Sequence, residues 1–137
     1  MLPAPGFLKL VEDAMSRIRQ TSAQEVKKRL DAKERFTLID VREQDEWMEG
    51  HVPGAIHLCR AIIERDIENA VPIKGTPVVL YCGTGFLSPL AADNLQRMGY
   101  SEVRCIEGGW RGWLDAGYST EKDEPQAAAE AGAGGGL

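Results

Sequence analysis

No apolar run in this 137-residue chain approaches the roughly 18 residues that span a bilayer, and no basic stretch precedes an apolar core at the N-terminus. These two absences argue against membrane insertion and secretion, so a cytoplasmic protein is expected. Basic charge is short as well: 16 Lys and Arg stand against 21 Asp and Glu, for a net charge of −5. The one cationic cluster, Lys27-Lys28-Arg29, is matched by Glu25, Asp31 and Glu34 on a solvated helix face, which leaves no patch for nucleic acid. Cysteine is scarce. Cys59, Cys82 and Cys105 are an odd number with no C-x-x-C pair, a pattern of neither a disulfide framework nor a zinc site. Histidine is limited to His51 and His57, and a Cys-His catalytic pair would need one of them beside the reacting thiol. Neither a metal nor a cofactor is expected.

What remains is ordinary globular composition, 43% hydrophobic and 27% charged. A chain this long fits one domain that buries roughly 70% of its unfolded surface, so its core needs no crosslinks. Leu8, Val11, Ala14, Met15 and Ile18 recur at helical spacing between Phe7 and Arg19, an amphipathic helix with too few basic residues to lie on a membrane. Ser22 with Glu25 forms a capping-box signal for a second helix running to about Asp31. Strand patterns follow at Phe36 to Val41, Ala55 to Leu58, Val78 to Tyr81 and Val103 to Ile106. Helical patterns lie between and after them, at Gln44 to Met48, Ala61 to Ala70, Pro89 to Met98 and Trp110 to Ala116. Such alternation predicts a parallel sheet with helices on both faces, whose chemistry sits at the carboxyl ends of the strands. From Glu121 onward nothing is available to bury, and a disordered tail is expected.

The segment Val78-Val79-Leu80-Tyr81-Cys82-Gly83-Thr84-Gly85-Phe86-Leu87-Ser88-Pro89 carries the chemistry. An unbroken apolar run reads as a strand covered on both faces, and Ser88-Pro89 read as the cap and first residue of a helix. Cys82 therefore stands between a buried strand and a helix N-terminus. The loop amides and the helix dipole favour a thiolate there and welcome an anion. Cys82 is the candidate nucleophile. Cys105, inside Val103-Arg104-Cys105-Ile106, reads instead as a small buried hydrophobe.

Together these residues resemble the rhodanese-like sulfurtransferases, among them the small single-domain bacterial type. The resemblance covers Thr21 to Ala116 and rests on four motifs in order. They are Leu38-Ile39-Asp40-Val41-Arg42 with Glu46-Trp47 behind it, Gly50-His51-Val52-Pro53-Gly54-Ala55-Ile56-His57-Leu58, the Cys82 loop with Ser88, and Glu107-Gly108-Gly109-Trp110. It implies an α/β, three-layer domain with a five-stranded, mostly parallel sheet, including a short first strand near Gln20 to Ser22 that pattern alone does not give. The organisation expected is an N-terminal amphipathic helix over 1–20, a rhodanese-like domain over 21–120 and a disordered tail over 121–137. The resemblance further implies that Cys82 takes sulfane sulfur from thiosulfate or a persulfide, holds it as a persulfide, and yields it to cyanide or a thiol. The donor and acceptor are small molecules or a protein persulfide or thiol partner, with no cofactor.

In such a site the amides of Gly83, Thr84, Gly85, Phe86, Leu87 and Ser88 bind the substrate, Gly83 and Gly85 permitting the backbone angles that a ring of inward N–H groups requires. Four residues separate Cys82 from Leu87. That matches the sulfurtransferases, whereas the related cell-cycle phosphatases and arsenate reductases have five. Leu87 stands where arginine is usual, and Gly83 where it is frequent, so the loop carries no cation and weak thiosulfate binding is expected. Either the donor is a less anionic persulfide, or Arg60 supplies the missing charge. A binding or regulatory module of little turnover is the alternative reading. Asp40 and Arg42 are supporting candidates, with a structural tie between loops as their simpler role. His51 is expected to bond backbone, Trp110 and Trp113 to pack in the core, and Phe86 to wall the thiol. Cys59 lies two strands from Cys82 in the implied order, too far to resolve it as a disulfide.

Overall fold

Three largely buried runs, a two-residue strand and one exposed to half-buried tripeptide pair side by side in the computed structural model, which describes residues 3–123. Strands β1 (Arg19–Thr21), β2 (Thr37–Asp40), β3 (Ile56–His57), β4 (Val78–Tyr81) and β5 (Val103–Ile106) form one sheet in the order β1-β5-β4-β2-β3. Every neighbouring pair is parallel, with Leu80 of β4 opposite Ile39 on one side and Cys105 on the other. Helices α2 (Ala23–Asp31), α3 (Gln44–Glu49), α4 (Ile63–Ala70) and α5 (Ser88–Arg97) connect successive strands, with α1 (Pro5–Met15) before β1 and α6 (Gly109–Asp115) after β5.

The continuous apolar runs are explained by side-chain alternation between two cores. Ile39, Val78, Leu80 and Cys105 face α4 and α5, packing on Ile63, Ile67, Ala92 and Leu95. Leu38, Val79, Tyr81 and Ile106 face the opposite way, onto Val26 of α2 and Trp113 of α6. A strand at the sheet centre is apolar at every position because successive side chains enter different hydrophobic layers. All four residues of β4 are buried, which fixes the point where the chain emerges at Cys82.

Helix α1 is shorter than the spacing predicts. It ends at Met15, and the chain turns into β1 one residue earlier than the resemblance implies. Val11 and Ala14 are buried, whereas Leu10 and Met15 remain exposed. The helix packs on α5 of its own domain. Arg17 secures this docking by donating from Nε and Nη2 to the Asp93 carboxylate at 3.0 and 2.8 Å. At the start of α2, Ser22 accepts from Glu25 N at 3.0 Å, as the capping signal predicts. The expected cap of α5 is different. Leu87 occupies the N-cap and Ser88 lies inside the first turn, because its amide and hydroxyl are turned to the Cys82 sulfur instead.

The end of β2 is tied to its surroundings by a buried ion pair. Arg42, 5% exposed, donates from Nε and Nη2 to the fully buried Asp40 carboxylate and from Nη2 to Gly50 O at 2.6 Å. Burial alone would lower the Arg42 pKa, but the hydrogen bond and charge of Asp40 outweigh it and raise it. Residues 121–123, assigned by sequence to the disordered tail, are held: His51 and Glu121 exchange backbone hydrogen bonds, and Asp123 accepts from Trp47 Nε1 at 2.8 Å. Its other carboxylate oxygen lies 3.0 Å from His51 Nε2. The remainder of that expected tail, 124–137, lies outside the described residues.

Asp40→Ala leaves the Arg42 guanidinium buried without its counter-ion and is expected to cost about 3–5 kcal/mol in urea unfolding. A loss below about 1 kcal/mol would contradict a structural role for the pair.

Two carboxylates give the stability an acid limb. Hydrogen bonds from Arg17 to Asp93, and from His51 and Trp47 to Asp123, hold both carboxyls below the usual carboxylate range. Their contribution is therefore complete above the unfolded value of about 3.9 and disappears as pH falls below it. Asp93→Asn should flatten the stability–pH curve in that acid range, and an unchanged curve would contradict the assignment.

Candidate active site

Where β4 leaves the sheet, its last side chains belong to the core, and the next residue, Cys82, is only 2% exposed. The chain then bends sharply around the Cys82 sulfur. Gly85 N–H donates to Sγ at 3.2 Å and Ser88 N–H donates at 3.3 Å. The Ser88 hydroxyl, also fully buried, lies 3.5 Å from Sγ and accepts the thiol proton. Gly85 adopts φ +97°, a conformation that side-chain-bearing residues seldom occupy, and this angle aims its amide inward.

A second pair of glycines braces the bend from behind. Gly108 and Gly109 both have positive φ and bring the first turn of α6 against the loop. Trp110 N–H donates to Cys82 O at 2.7 Å, and Arg111 N–H donates to Gly83 O at 3.0 Å. A Cβ on Gly109 would collide with Cys82 O, closer than any packing tolerates. The sequence shows the glycine pair only as part of the Glu107-Gly108-Gly109-Trp110 motif, and its role in carrying the Cys82 backbone is visible only in the structure.

Cys82 forms the floor of an open cavity of about 270 Å³. Gly83, Thr84, Phe86 and Leu87 line it from the loop, as Arg42, Glu43 and Glu46 do from the segment after β2. Phe86 is half-buried in the wall and Leu87 is 40% exposed at the rim. Of the six loop residues singled out by sequence, Gly85 and Ser88 direct their amides at the sulfur.

The electrostatics depart from expectation. Arg42 reaches the cavity, but its charge is spent on Asp40 and on the face of Trp110, whose ring centre is 4.5 Å away. Arg60 does not reach it. Its guanidinium donates to Glu64 at 2.7 Å and lines a separate cleft between α1 and α5, so it cannot replace the absent loop cation. The ionisable groups that sequence reasoning missed here are acidic. Glu43 and Glu46 cap α3 reciprocally, and Glu46 approaches within 4.0 Å of the position of a Cβ on Gly83. The signal available in the sequence is the capping-box pattern of Glu43 and Glu46 at the start of α3.

Neither histidine stands at the sulfur. His51 stacks on Trp47 with ring centres 3.5 Å apart, its Nδ1 3.1 Å from Val52 O, and His57 Nε2 lies 2.7 Å from Arg42 O. Trp113 is buried in the core, while Trp110 is half-buried and stacks on Tyr81. Cys105 is buried, and burial pushes its thiol up to about 12, which leaves it inert at neutral pH. Cys59 follows β3, with β2 between it and the strand of Cys82.

This arrangement, a strand ending in a cysteine whose sulfur is ringed by the amides of a short loop opening a helix, agrees with what sequence comparison finds. The sequence profile of the Rhodanese-like domain matches residues 22–116. The chain belongs to the rhodanese-like family. It is 36% identical over 78 residues to the thiosulfate sulfurtransferase GlpE of Coxiella burnetii, a span of 57% of this chain and 71% of that protein. With the thiosulfate sulfurtransferase PspE of Escherichia coli it shares 38% identity over 70 residues, 51% of this chain and 67% of the relative. In three dimensions it resembles a polysulfide-sulfur transferase homodimer of Wolinella succinogenes, with a TM-score of 0.73 and 27% identity over 88% of this chain and 90% of that one. As a rhodanese-like domain it has the expected α/β fold, with all five strands parallel.

Gly109→Ala forces apart two backbones that are hydrogen-bonded to each other, and adds a side chain at φ +56°. It should destabilise the fold by about 3 kcal/mol or more. Gly6→Ala, at a helical position with nothing within 4 Å, should stay within about 1 kcal/mol of the parent in the same unfolding experiment. Equal effects would show that the α6 brace is not what supports the loop.

Proposed function

We propose that this protein is a sulfurtransferase that carries sulfane sulfur on Cys82. The Cys82 thiolate attacks the outer sulfur of a donor, R–S–S⁻ or thiosulfate. An S–S bond forms to Cys82 as the donor's own breaks, releasing R–S⁻ or sulfite and leaving Cys82–S–S⁻. A thiolate or cyanide then attacks that terminal sulfur, leaving as a persulfide or thiocyanate and restoring the thiolate. No net oxidant or reductant is consumed, because each step exchanges one S–S or S–C bond for another.

The observation that carries this reading is the pair of amide donors, Gly85 N–H and Ser88 N–H, on Cys82 Sγ at the floor of a cavity open to small reactants. Fixed N–H dipoles stabilise negative charge on Cys82 Sγ as it attacks and, in the second step, as it leaves, without rearranging between steps. The sulfurtransferase names of the relatives support the same reaction class.

Among the described residues the cavity has no free cation, since Arg42 is held by Asp40 and Arg60 lies elsewhere. Thiosulfate is a dianion and loses charge-assisted binding under those conditions, so a less anionic persulfide is the better donor. Leu87 also favours one second reading: a rhodanese-like binding or regulatory module with little turnover.

Incubation with a sulfane donor should add about 32 Da to the protein in a mass spectrum, on Cys82 and not on Cys59 or Cys105. Cys82→Ser should abolish both the mass gain and thiocyanate formation. A parent that never gains the sulfur, or gains it equally in Cys82→Ser, would contradict the reading. Leu87→Arg separates the two functions: a modest rise in thiosulfate use over an active parent fits the enzyme, whereas a steep rise from none fits the module.

A further inference from the structure

The cavity over Cys82 does not end at the loop. Arg42 and Glu46, which line it, also line an adjoining cavity of about 430 Å³ that extends past α3 to the exposed end of α6. The two form a groove with the sulfur at one end. One side of it carries three carboxylates, Glu43, Glu46 and Glu49, all on or beside the same short helix. Among the described residues its only cation, Arg42, is 5% exposed and neutralised by Asp40. Its exposed aliphatic side chains are Leu87 at the thiol and Leu114 on α6, 40% and 43% exposed.

We propose that this groove takes an extended, positively charged segment of a partner polypeptide, whose cysteine enters the Cys82 cavity to give or receive the sulfur. The occupant follows from three features of the site. A small inorganic anion would be repelled by the three carboxylates and would leave the groove beyond Arg42 empty. A groove that leads away from the reacting atom suits an extended chain, which lays the residues next to its cysteine along the protein. Lysine or arginine flanking that cysteine would meet Glu43, Glu46 and Glu49, and their long aliphatic stems would cover Leu87 or Leu114. Charge complementarity of this kind accelerates encounter and excludes acidic partners more than it adds raw affinity.

The inference rests on Cys82 as the sulfur carrier, yet its binding step is measurable without any transfer. Two labelled peptides of equal length, with serine in place of the central cysteine, are flanked by lysines in one and by glutamates in the other. Fluorescence anisotropy with the full chain should show the lysine peptide binding at least about tenfold more tightly at low salt, with the difference shrinking as added salt screens it. The triple variant Glu43→Gln, Glu46→Gln, Glu49→Gln keeps side chains able to accept the capping hydrogen bonds of α3 and should remove most of the preference. The cysteine forms of the two peptides, offered to protein already loaded with sulfur, should accept it with the same order of rates.

Equal binding of the two serine peptides, binding of neither, or a preference untouched in the triple variant would overturn the groove assignment, whatever Cys82 does. Failure of Cys82 to take up sulfur, with lysine-peptide binding intact, would overturn the proposed reaction and leave the docking groove standing. Far-ultraviolet circular dichroism and the unfolding midpoint check that the triple variant retains its fold. Should it not, Glu49→Gln alone, which removes no cap, carries the same comparison with a smaller loss.

Discussion

Two backbone N–H groups, those of Gly85 and Ser88, converge on the sulfur of Cys82, and the rest of the site follows from making that convergence possible. The sulfur must stand still, which requires a strand buried on both faces immediately before it, and β4 is the central strand of the sheet. The amides must turn inward, which requires a backbone angle at Gly85 that a side chain would resist. A loop bent this tightly also directs carbonyls outward, and those of Cys82 and Gly83 are satisfied by the first amides of α6. That contact demands the close approach at Gly109. Helix α6, far along the sequence, is therefore part of the support of the Cys82 loop, through two backbone hydrogen bonds.

A site can stabilise a transferring anion with fixed dipoles or with a mobile cation, and the transfer proposed at Cys82 relies on the first. Amide dipoles act at short range on the atom they touch, so they support the sulfur through both halves of a transfer without selecting the group attached to it. Selection then falls to the rim. There the carboxylates of Glu43 and Glu46 line the cavity from the segment after β2, and Leu87 adds an apolar edge on the loop side. Arg42 does not relieve this. Its guanidinium is committed to Asp40 and Gly50, where it joins the end of β2 to the turn that leads into β3.

How much of this was legible in the sequence depended on whether the relevant pattern is local. The apolar runs of β2, β4 and β5 announced themselves. Strand β1 did not, because its three residues are exposed or half-buried and owe their conformation to pairing with β5. Cys82 and its loop were identified from the strand–cysteine–glycine–helix order. The finer assignment of Ser88 as a cap failed, since nothing local says that its hydroxyl and amide serve a sulfur six residues back. Arg60 was a candidate by reach alone, and its capture by Glu64 depends on the first turn of α4. The hold of residues 121–123 on Trp47 and His51 was likewise invisible, being a contact across more than seventy residues.

The most direct test of the central claim is an amide-resolved nuclear magnetic resonance comparison of the reduced protein with Cys82→Ala. If the sulfur gathers the loop, the Gly85 and Ser88 amide protons resonate downfield in the parent, move upfield together in the variant, and lose protection against solvent exchange. Amides of β4 stay where they are. Gly85 and Ser88 signals that match in the two proteins, in position and in exchange rate, would mean that the loop holds its shape without the sulfur, and would contradict the convergence on which the site depends.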